Sequence, residues 1–313
     1  MKKLLKNCFV VLAGLNLAGF LTVGTPGRSA EEFTLDTARA AADKGDAGAQ
    51  FFLGQHYVKG DGVTRDNARA VEYFRQSADQ GYARAQTSLG SCYAHGLGVK
   101  QDYATALEWY RKAAAQGEPL AEYCLGYAYA YGKGVPTNFA TALGWWQKAA
   151  GQGQVYAQNA LGHFYLYGEY AGDTNSVNYA TAARWLQQAA EQGYVPAMGA
   201  LGLLYANGWG VVQDWPQALK WYRRGADGND PVAQAQLGLM YENGIGGIPH
   251  DNIQAYKWFL LSQEQGNMEG RHGAIEFELH KVLTPQQAAE AGRQVAEFHD
   301  RFRDRQAAGG QLP

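Results

Sequence analysis

The strongest constraint on this chain is a short pattern that recurs six times at nearly constant spacing. A Leu-Gly pair is followed three residues later by Tyr, and an Ala lies five residues before the Gly. Ala, Leu and Tyr therefore fall at i, i+4 and i+8, on one face of a helix. Successive copies are 36, 36, 36, 40 and 36 residues apart, a period typical of repeat architectures. The glycines of the six copies are Gly54, Gly90, Gly126, Gly162, Gly202 and Gly238.

Each copy continues into a second helical pattern. The first helix, helix A, runs into a paired-glycine turn such as Gly60-Asp-Gly62, and an Asp or Asn then supplies a helix N-cap. A Gly, or once Asn229, follows the end of this second helix, helix B. The predicted caps are Asp66, Asp102, Asn138, Asn178, Asp214 and Asp251. The aromatic side chains that we expect to pack on helix A are Tyr73, Trp109, Trp145, Trp185, Trp221 and Trp258.

The repeats define the domain organisation. We place them at about 49–84, 85–120, 121–156, 157–196, 197–232 and 233–270. Residues 31–48 are expected to form an N-terminal capping helix, 271–306 C-terminal capping helices with a helix starting at Thr284 or Pro285, and 307–313 a flexible tail. The fourth repeat carries four extra residues in its turn.

The first 30 residues are typical of a signal peptide. Three lysines precede an apolar stretch from Cys8 to Val23. An uncleaved membrane anchor is the alternative, but about 16 apolar residues fall short of the roughly 20 that span a bilayer. We therefore expect a periplasmic or secreted protein, with no stable membrane insertion after cleavage.

Charge and cysteine content narrow the possible partners. Removal of the signal peptide takes four of the 27 basic residues, which leaves 23 against 29 acidic residues and a net charge of −6. This balance, without a basic cluster, disfavours nucleic acid and anionic membranes as partners. Cys92 and Cys124 remain, but they are four residues out of register on neighbouring helices, so we expect no disulfide between them. We expect a monomer.

The repeated unit resembles a known family. Its Ala-x-x-x-Leu-Gly-x-x-Tyr pattern, paired-glycine turn, polar cap and an ending such as Trp109–Gly117 are similar to the Sel1-like repeat, a relative of the tetratricopeptide repeat, over about residues 35–270. The resemblance implies an all-α fold, a right-handed α-solenoid of antiparallel helix pairs, and a role as adaptor or scaffold. Exported bacterial members of the family act in host contact, envelope regulation and polysaccharide secretion.

The variable positions of helix A are where a partner is expected to bind. In such arrays the A helices line the concave surface, and positions −3, +1 and +5 from the Leu-Gly glycine should share one outward face. Tyrosine there offers a large, rigid contact area. In the third and fourth repeats these positions are Tyr123, Tyr127, Tyr131, Asn159, His163 and Tyr167. We predict that they bind a protein or peptide; alternatively, the tyrosines pack between adjacent A helices.

Sequence motifs give no catalytic or metal site. Nucleophile elbow, zinc-protease, phosphate-loop, Ser-x-x-Lys and Cys-x-x-Cys motifs do not occur. His272 and His280 flank Glu276 on one helix face, but eight residues span about 12 Å, too far for both to bind one ion. We predict a non-enzymatic scaffold without a cofactor. The alternatives are a cell-wall or β-lactam hydrolase, implied by a cysteine-rich subgroup whose paired cysteines this chain lacks, and a secreted host-interaction factor.

Overall fold

A computed structural model describes residues 33–168 and 177–307. The predicted signal peptide, residues 169–176 of the lengthened turn and residues 308–313 of the predicted tail lie outside the described residues. Within the described ranges the chain forms fifteen α-helices and no strand, which confirms the all-α prediction. The helices are α1 (Leu35–Ala42), α2 (Ala47–Lys59), α3 (Asn67–Asp79), α4 (Ala83–His95), α5 (Tyr103–Ala115), α6 (Pro119–Tyr131), α7 (Phe139–Gly151), α8 (Val155–Tyr167), α9 (Tyr179–Glu191), α10 (Val195–Asn207), α11 (Trp215–Asp227), α12 (Pro231–Asn243), α13 (Asn252–Glu264), α14 (Met268–Leu279) and α15 (Pro285–Ala307).

Consecutive helices pack in pairs. The even-numbered helices α2 to α12 are the A helices and the odd-numbered helices α3 to α13 are the B helices. Helix A packs along the B helix that follows it, as α2 does on α3 and α12 on α13, and also against the B helix of the preceding repeat, as α4 does on α3. The chain divides into two compact units, one ending at Ala157 and the other beginning at Gln158. No helix of the described ranges is long and apolar enough to cross a bilayer.

Helix boundaries follow the predicted signals. All six predicted caps accept hydrogen bonds from the first turn of helix B. The Asp66 carboxylate, for example, accepts from the backbone N–H groups of Ala68 and Arg69, each at 3.0 Å. Asn229, the one replacement for glycine after helix B, adopts the left-handed conformation at φ 67°. These caps and the residues that follow helix B are confirmed.

The core contains the recurring small and aliphatic residues. The Ala and Leu of each helix A pattern and the Ala at the fourth position of each helix B are at most 1% exposed. A Cβ atom on Gly54 would lie 2.6 Å from the Phe74 ring, so the glycine permits close packing of α2 on α3. The side chains over the six glycines are Phe74, Tyr110, Trp146, Leu186, Tyr222 and Phe259.

These buried side chains stand one residue after the aromatic residues that the sequence suggested. Tyr73 does contact helix A, since its ring stacks on Tyr57 with centroids 5.7 Å apart, but it is half-buried. Phe74 is fully buried. Successive side chains on a helix point about 100° apart. Phe74 therefore packs directly on Gly54, whereas Tyr73 points to one side of it.

A side-chain bridge that the sequence analysis missed joins the two helices of most repeats. In the first repeat, the Gln80 amide donates to the Gln50 carbonyl at 2.7 Å. The same bridge joins Gln116 to Gln86, Gln192 to Gln158, and Gln265 to Gln234. In the third repeat Gln152 donates to a carboxylate, Glu122, and in the fifth repeat Met198 and Gly228 occupy the two positions.

The C-terminal helices differ from the repeats. Helix α15 begins at Pro285, as predicted, after Thr284, whose backbone N–H donates to the Gln287 side chain at 2.9 Å. It packs on α13, where the rings of Trp258 and Phe298 lie edge to face at 5.8 Å. Helix α14 packs on α12 and α13.

Candidate functional site

The structure places two of the six predicted site residues in the core. Tyr123 is 3% exposed and Asn159 is 1% exposed, so neither faces outward as the sequence analysis expected. Position −3 lies near the start of helix A, where the next helix A also begins. The Tyr123 ring therefore meets the Tyr156 ring of α8 at 5.6 Å, and Phe51 meets Tyr82 at 5.3 Å in the same way. The prediction considered the faces of a single helix, so it did not include the contact with helix A of the next repeat.

Tyr127 and Tyr131 reach the surface of the third repeat. Both are half-buried, and their ring centroids are 4.5 Å apart with the planes tilted by 42°. The Tyr123 ring lies 6.5 Å from Tyr127, so the three rings form a row along α6 from the core to the surface. Burial raises the pKa of Tyr127, and its hydroxyl, like that of an ordinary tyrosine, is protonated at neutral pH and can donate a hydrogen bond.

His163 and Tyr167 form a separate pair on α8. Their rings stack at 5.6 Å with an interplanar angle of 18°. Burial lowers the pKa of His163 to about 4, so the imidazole is neutral at pH 7 and offers a flat, uncharged surface. The tyrosines of α6 belong to the unit that ends at Ala157, whereas Asn159, His163 and Tyr167 belong to the unit that begins at Gln158.

Aromatic side chains at these positions distinguish repeats three and four from the other repeats. At the same two positions, +1 and +5, the remaining repeats carry Gln55 and Lys59, Ser91 and His95, Leu203 and Asn207, and Leu239 and Asn243. In each of these four repeats the +5 residue is exposed, whereas Tyr131 and Tyr167 are half-buried.

Neither cysteine in the described ranges is a reactive thiol. Cys92 and Cys124 are free and buried. Burial raises the pKa of both thiols to about 12, which keeps them protonated, and thiols in that state are poor nucleophiles. Nearby, the Tyr110 hydroxyl lies 3.1 Å from the Ser91 hydroxyl.

His272, Glu276 and His280 lie on one surface face of α14 and its C-cap, where each histidine contacts the Glu276 carboxylate. The Glu276 carboxylate lies 2.9 Å from His280 Nε2 and 3.9 Å from His272 Nε2. Among the residues that the structure describes, no group of three or more His, Cys, Asp or Glu side chains could hold a metal ion.

Two features were missed from the sequence. Tyr179, the first residue of α9, and Trp209, in the turn after α10, stack with ring centroids 5.3 Å apart, and both are about a third exposed. Val212, three residues after Trp209, is 86% exposed. Trp209 stands between two turn glycines where repeats one and three have Asp61 and Lys133, a difference that alignment of the repeats could have revealed. The second feature is Asp230, the buried N-cap of α12, whose pKa is raised to about 7 by burial.

Comparison with known proteins identifies the repeat. The Sel1 repeat profile matches six consecutive segments, 47–82, 83–118, 119–154, 155–194, 195–230 and 231–267. A comparison with curated protein sequences gives no match.

Two solved structures are similar to the chain over most of its length. One is c5321, a protective antigen of uropathogenic Escherichia coli with an SLR fold, at 36% identity and a TM-score of 0.68 over 85% of this chain. The chain spans 56% of the length of that protein. The other is a Sel1 repeat protein from Oxalobacter formigenes, at 29% identity and a TM-score of 0.65, which covers 74% of this chain and 100% of its own.

Proposed function

The chain belongs to the Sel1 repeat family, and from this premise we propose that it is an exported scaffold that binds a protein or peptide on the exposed face of its A helices. The basic and apolar N-terminal segment supports export to the periplasm or beyond the cell. Fractionation of the source cells tests the proposed export, if the mass of the chain is measured in each fraction to show whether the signal peptide has been removed. Recovery of the full-length chain from the cytoplasm would contradict it.

The observation that supports the binding site is the tyrosine pair of the third repeat. Most recurring residues are used to fold one helix onto another, as the buried Ala and Leu and the caps show. Tyr127 and Tyr131 stand at positions that vary among the repeats, and they combine a rigid apolar surface with hydroxyl groups. Such side chains are enriched among the residues that dominate binding energy. We propose Tyr127 and Tyr131 as the anchors, and His163 with Tyr167 as a second patch to be tested separately.

A site-specific cross-linking experiment tests the anchors. A photo-reactive phenylalanine analogue at position 131, introduced into the chain in its source cells, is expected to give a discrete cross-linked band that mass spectrometry identifies. With that partner purified, the double variant Tyr127→Ala and Tyr131→Ala should weaken binding by at least about tenfold, because two anchor rings are lost. The circular dichroism spectrum of the double variant should remain that of a helical protein.

A matched control uses the same two positions of the fifth repeat. Leu203→Ala with Asn207→Ala removes side chains from α10 and is expected to leave binding unchanged. Loss of helicity in the tyrosine variant would show that the rings are core residues, as the alternative interpretation holds. Unchanged affinity with intact helicity would exclude them as anchors.

Similarity to the Escherichia coli protective antigen supports a second candidate, a secreted factor that contacts host cells. Binding of the fluorescently labelled chain to intact host cells, measured by flow cytometry against the heat-unfolded chain, tests it. Equal signals from the folded and unfolded chains would exclude this candidate. The hydrolase alternative has no comparable support, since both described thiols are buried and protonated. Sustained nitrocefin turnover by the pure chain would reinstate it.

A further inference from the structure

Helix α14 carries apolar side chains on two opposite faces, with one histidine, His272, on the outer face. Its inner face packs on α13, where the rings of Phe277 and Phe259 lie 5.7 Å apart and Ala274 is fully buried. Its outer face carries a second stripe about 180° around the helix. This stripe, the α14 seam, consists of Met268, His272, Ile275 and Leu279, all of them exposed. Their spacing of four, three and four residues is that of the core positions of a coiled coil.

The seam is open because α14 is a helix A without a helix B. Ile275 follows the cap Asn267 by eight residues, as Gly238 follows the cap Asp230. In the six repeats this position lies under a side chain of the following helix B. The helix that follows α14 is α15, which packs on α13. Leu279 consequently remains 70% exposed and Met268 48% exposed.

The residue at the glycine position indicates what kind of helix can cover the seam. A helix B approaches so closely that even a Cβ atom on Gly238 would lie 2.6 Å from the Phe259 ring. Ile275 fills that space, so the seam fits a helix at the wider separation of a coiled coil, about 8–10 Å between axes.

The charged residues beside the α14 seam indicate which helix can pack on it and in which direction. Arg271 and Glu276 flank the seam on opposite sides and are five residues apart, the spacing at which flanking residues of parallel coiled-coil helices face each other. A second copy in parallel would place each Arg271 opposite a Glu276, twice by symmetry. An antiparallel copy would instead bring Glu269 and Glu276 together on the same side. We propose that the α14 seam packs in parallel against α14 of a second copy of this chain.

The proposed pairing is small. Helix α14 has 12 residues and is about 18 Å long, so two such helices bury less than the roughly 1,200 Å² of a standard interface. We therefore expect a concentration-dependent dimer. The monomer expected from the sequence is the competing outcome, and the following measurements decide between them.

Sedimentation equilibrium of the purified chain, from about 1 µM to about 1 mM, tests the pairing. The mass is expected to rise towards that of a dimer. Ile275→Lys with Leu279→Lys should weaken association by at least about tenfold, because two charges per copy would enter the seam. Val212→Lys, at a residue that is 86% exposed and outside α14, is the matched control and should associate as the unaltered chain does. A monomer at every concentration, or an undiminished dimer in the seam variant, would overturn the proposal.

Two further variants test direction. Arg271→Glu should weaken the dimer, and Arg271→Glu with Glu276→Arg should restore it, since the opposite charges are then exchanged. Ile275→Cys and Leu279→Cys should each cross-link to the same residue of the second copy under mild oxidation, because both positions are in register only in a parallel pair. Three outcomes would contradict the parallel self-pairing. They are cross-linking at only one of the two cysteines, a dimer that the Arg271→Glu with Glu276→Arg variant does not restore, and a monomeric chain that binds an unrelated amphipathic helical peptide.

Discussion

A glycine in the middle of helix A decides how closely two helices approach. A Cβ atom on Gly126 would collide with the indole of Trp146, whereas a Cβ atom on Gly144, in the facing helix α7, would meet nothing within 4 Å. Gly126→Ala should therefore lower the free energy of unfolding by about 2 kcal/mol through overpacking. Gly144→Ala is the matched control and should raise it by about 0.5–1 kcal/mol, because alanine favours a helix. Urea denaturation measures both, and equal effects would contradict the close-approach interpretation.

Asp230 should make the stability of the chain dependent on pH. Burial raises its pKa from 3.8 to about 7, so between about pH 4 and pH 7 the folded chain retains a proton that the unfolded chain has released. The contribution to stability is fully present below about pH 4 and is lost as pH rises to about 7, on the order of 2 to 4 kcal/mol in total.

Asp230→Asn keeps a side-chain cap without an ionisable group. Thermal unfolding between pH 4 and pH 8 should therefore show a smaller decline for this variant than for the unaltered chain. Asp66→Asn, at a cap that is partly exposed, is the control and should leave the decline unchanged. An identical decline in the Asp230 variant would exclude this carboxyl as its source.

At the level of the helix pair, the third repeat has a carboxylate, Glu122, in place of one glutamine of the bridge, and Lys148 forms an ion pair with it. The fully buried Glu122 carboxylate lies 2.8 Å from Lys148 Nζ and accepts a bond from Gln152 at 2.7 Å. Lys148→Ala would leave the buried carboxylate without its counter-ion and should lower stability by about 3 kcal/mol. In a Glu122→Gln background, which restores the residue of most other repeats, the same change should cost less than about 1 kcal/mol. A double-mutant cycle measures the difference, and additive effects would contradict the coupling.

Sequence periodicity predicted the helix pairs well because each recurring residue has one local role. The caps of helix B, the left-handed Asn229 and the buried Ala and Leu all depend on the helix that contains them or on its immediate partner. The predicted site was less accurate because it depends on a third helix. Tyr123 is buried by Tyr156 of the next repeat, a contact that the periodicity of one helix does not contain.

At the scale of the whole molecule, packing between adjacent repeats predicts that a destabilising substitution affects only the repeats near it. Phe298 is 2% exposed and packs on Trp258, so Phe298→Ala should cost about 3 kcal/mol. In repeat proteins each unit contacts its neighbours, so the loss should be confined to the C-terminal repeats. Hydrogen exchange is expected to accelerate in α13 and to remain unchanged in α3. Uniform acceleration along the chain would indicate a single cooperative unit.

The bridge between glutamine side chains bears on how such an array can be shuffled by recombination. In the fifth repeat both bridge positions carry residues that cannot form the bridge, Met198 and Gly228. A crossover between repeats would keep each pair intact. A crossover between helix A and helix B would leave a buried amide facing a glycine or a methionine facing an amide, at a cost in stability. Viable breakpoints should therefore fall between repeats, and a whole repeat is the smallest piece that can be exchanged without separating the two bridge positions.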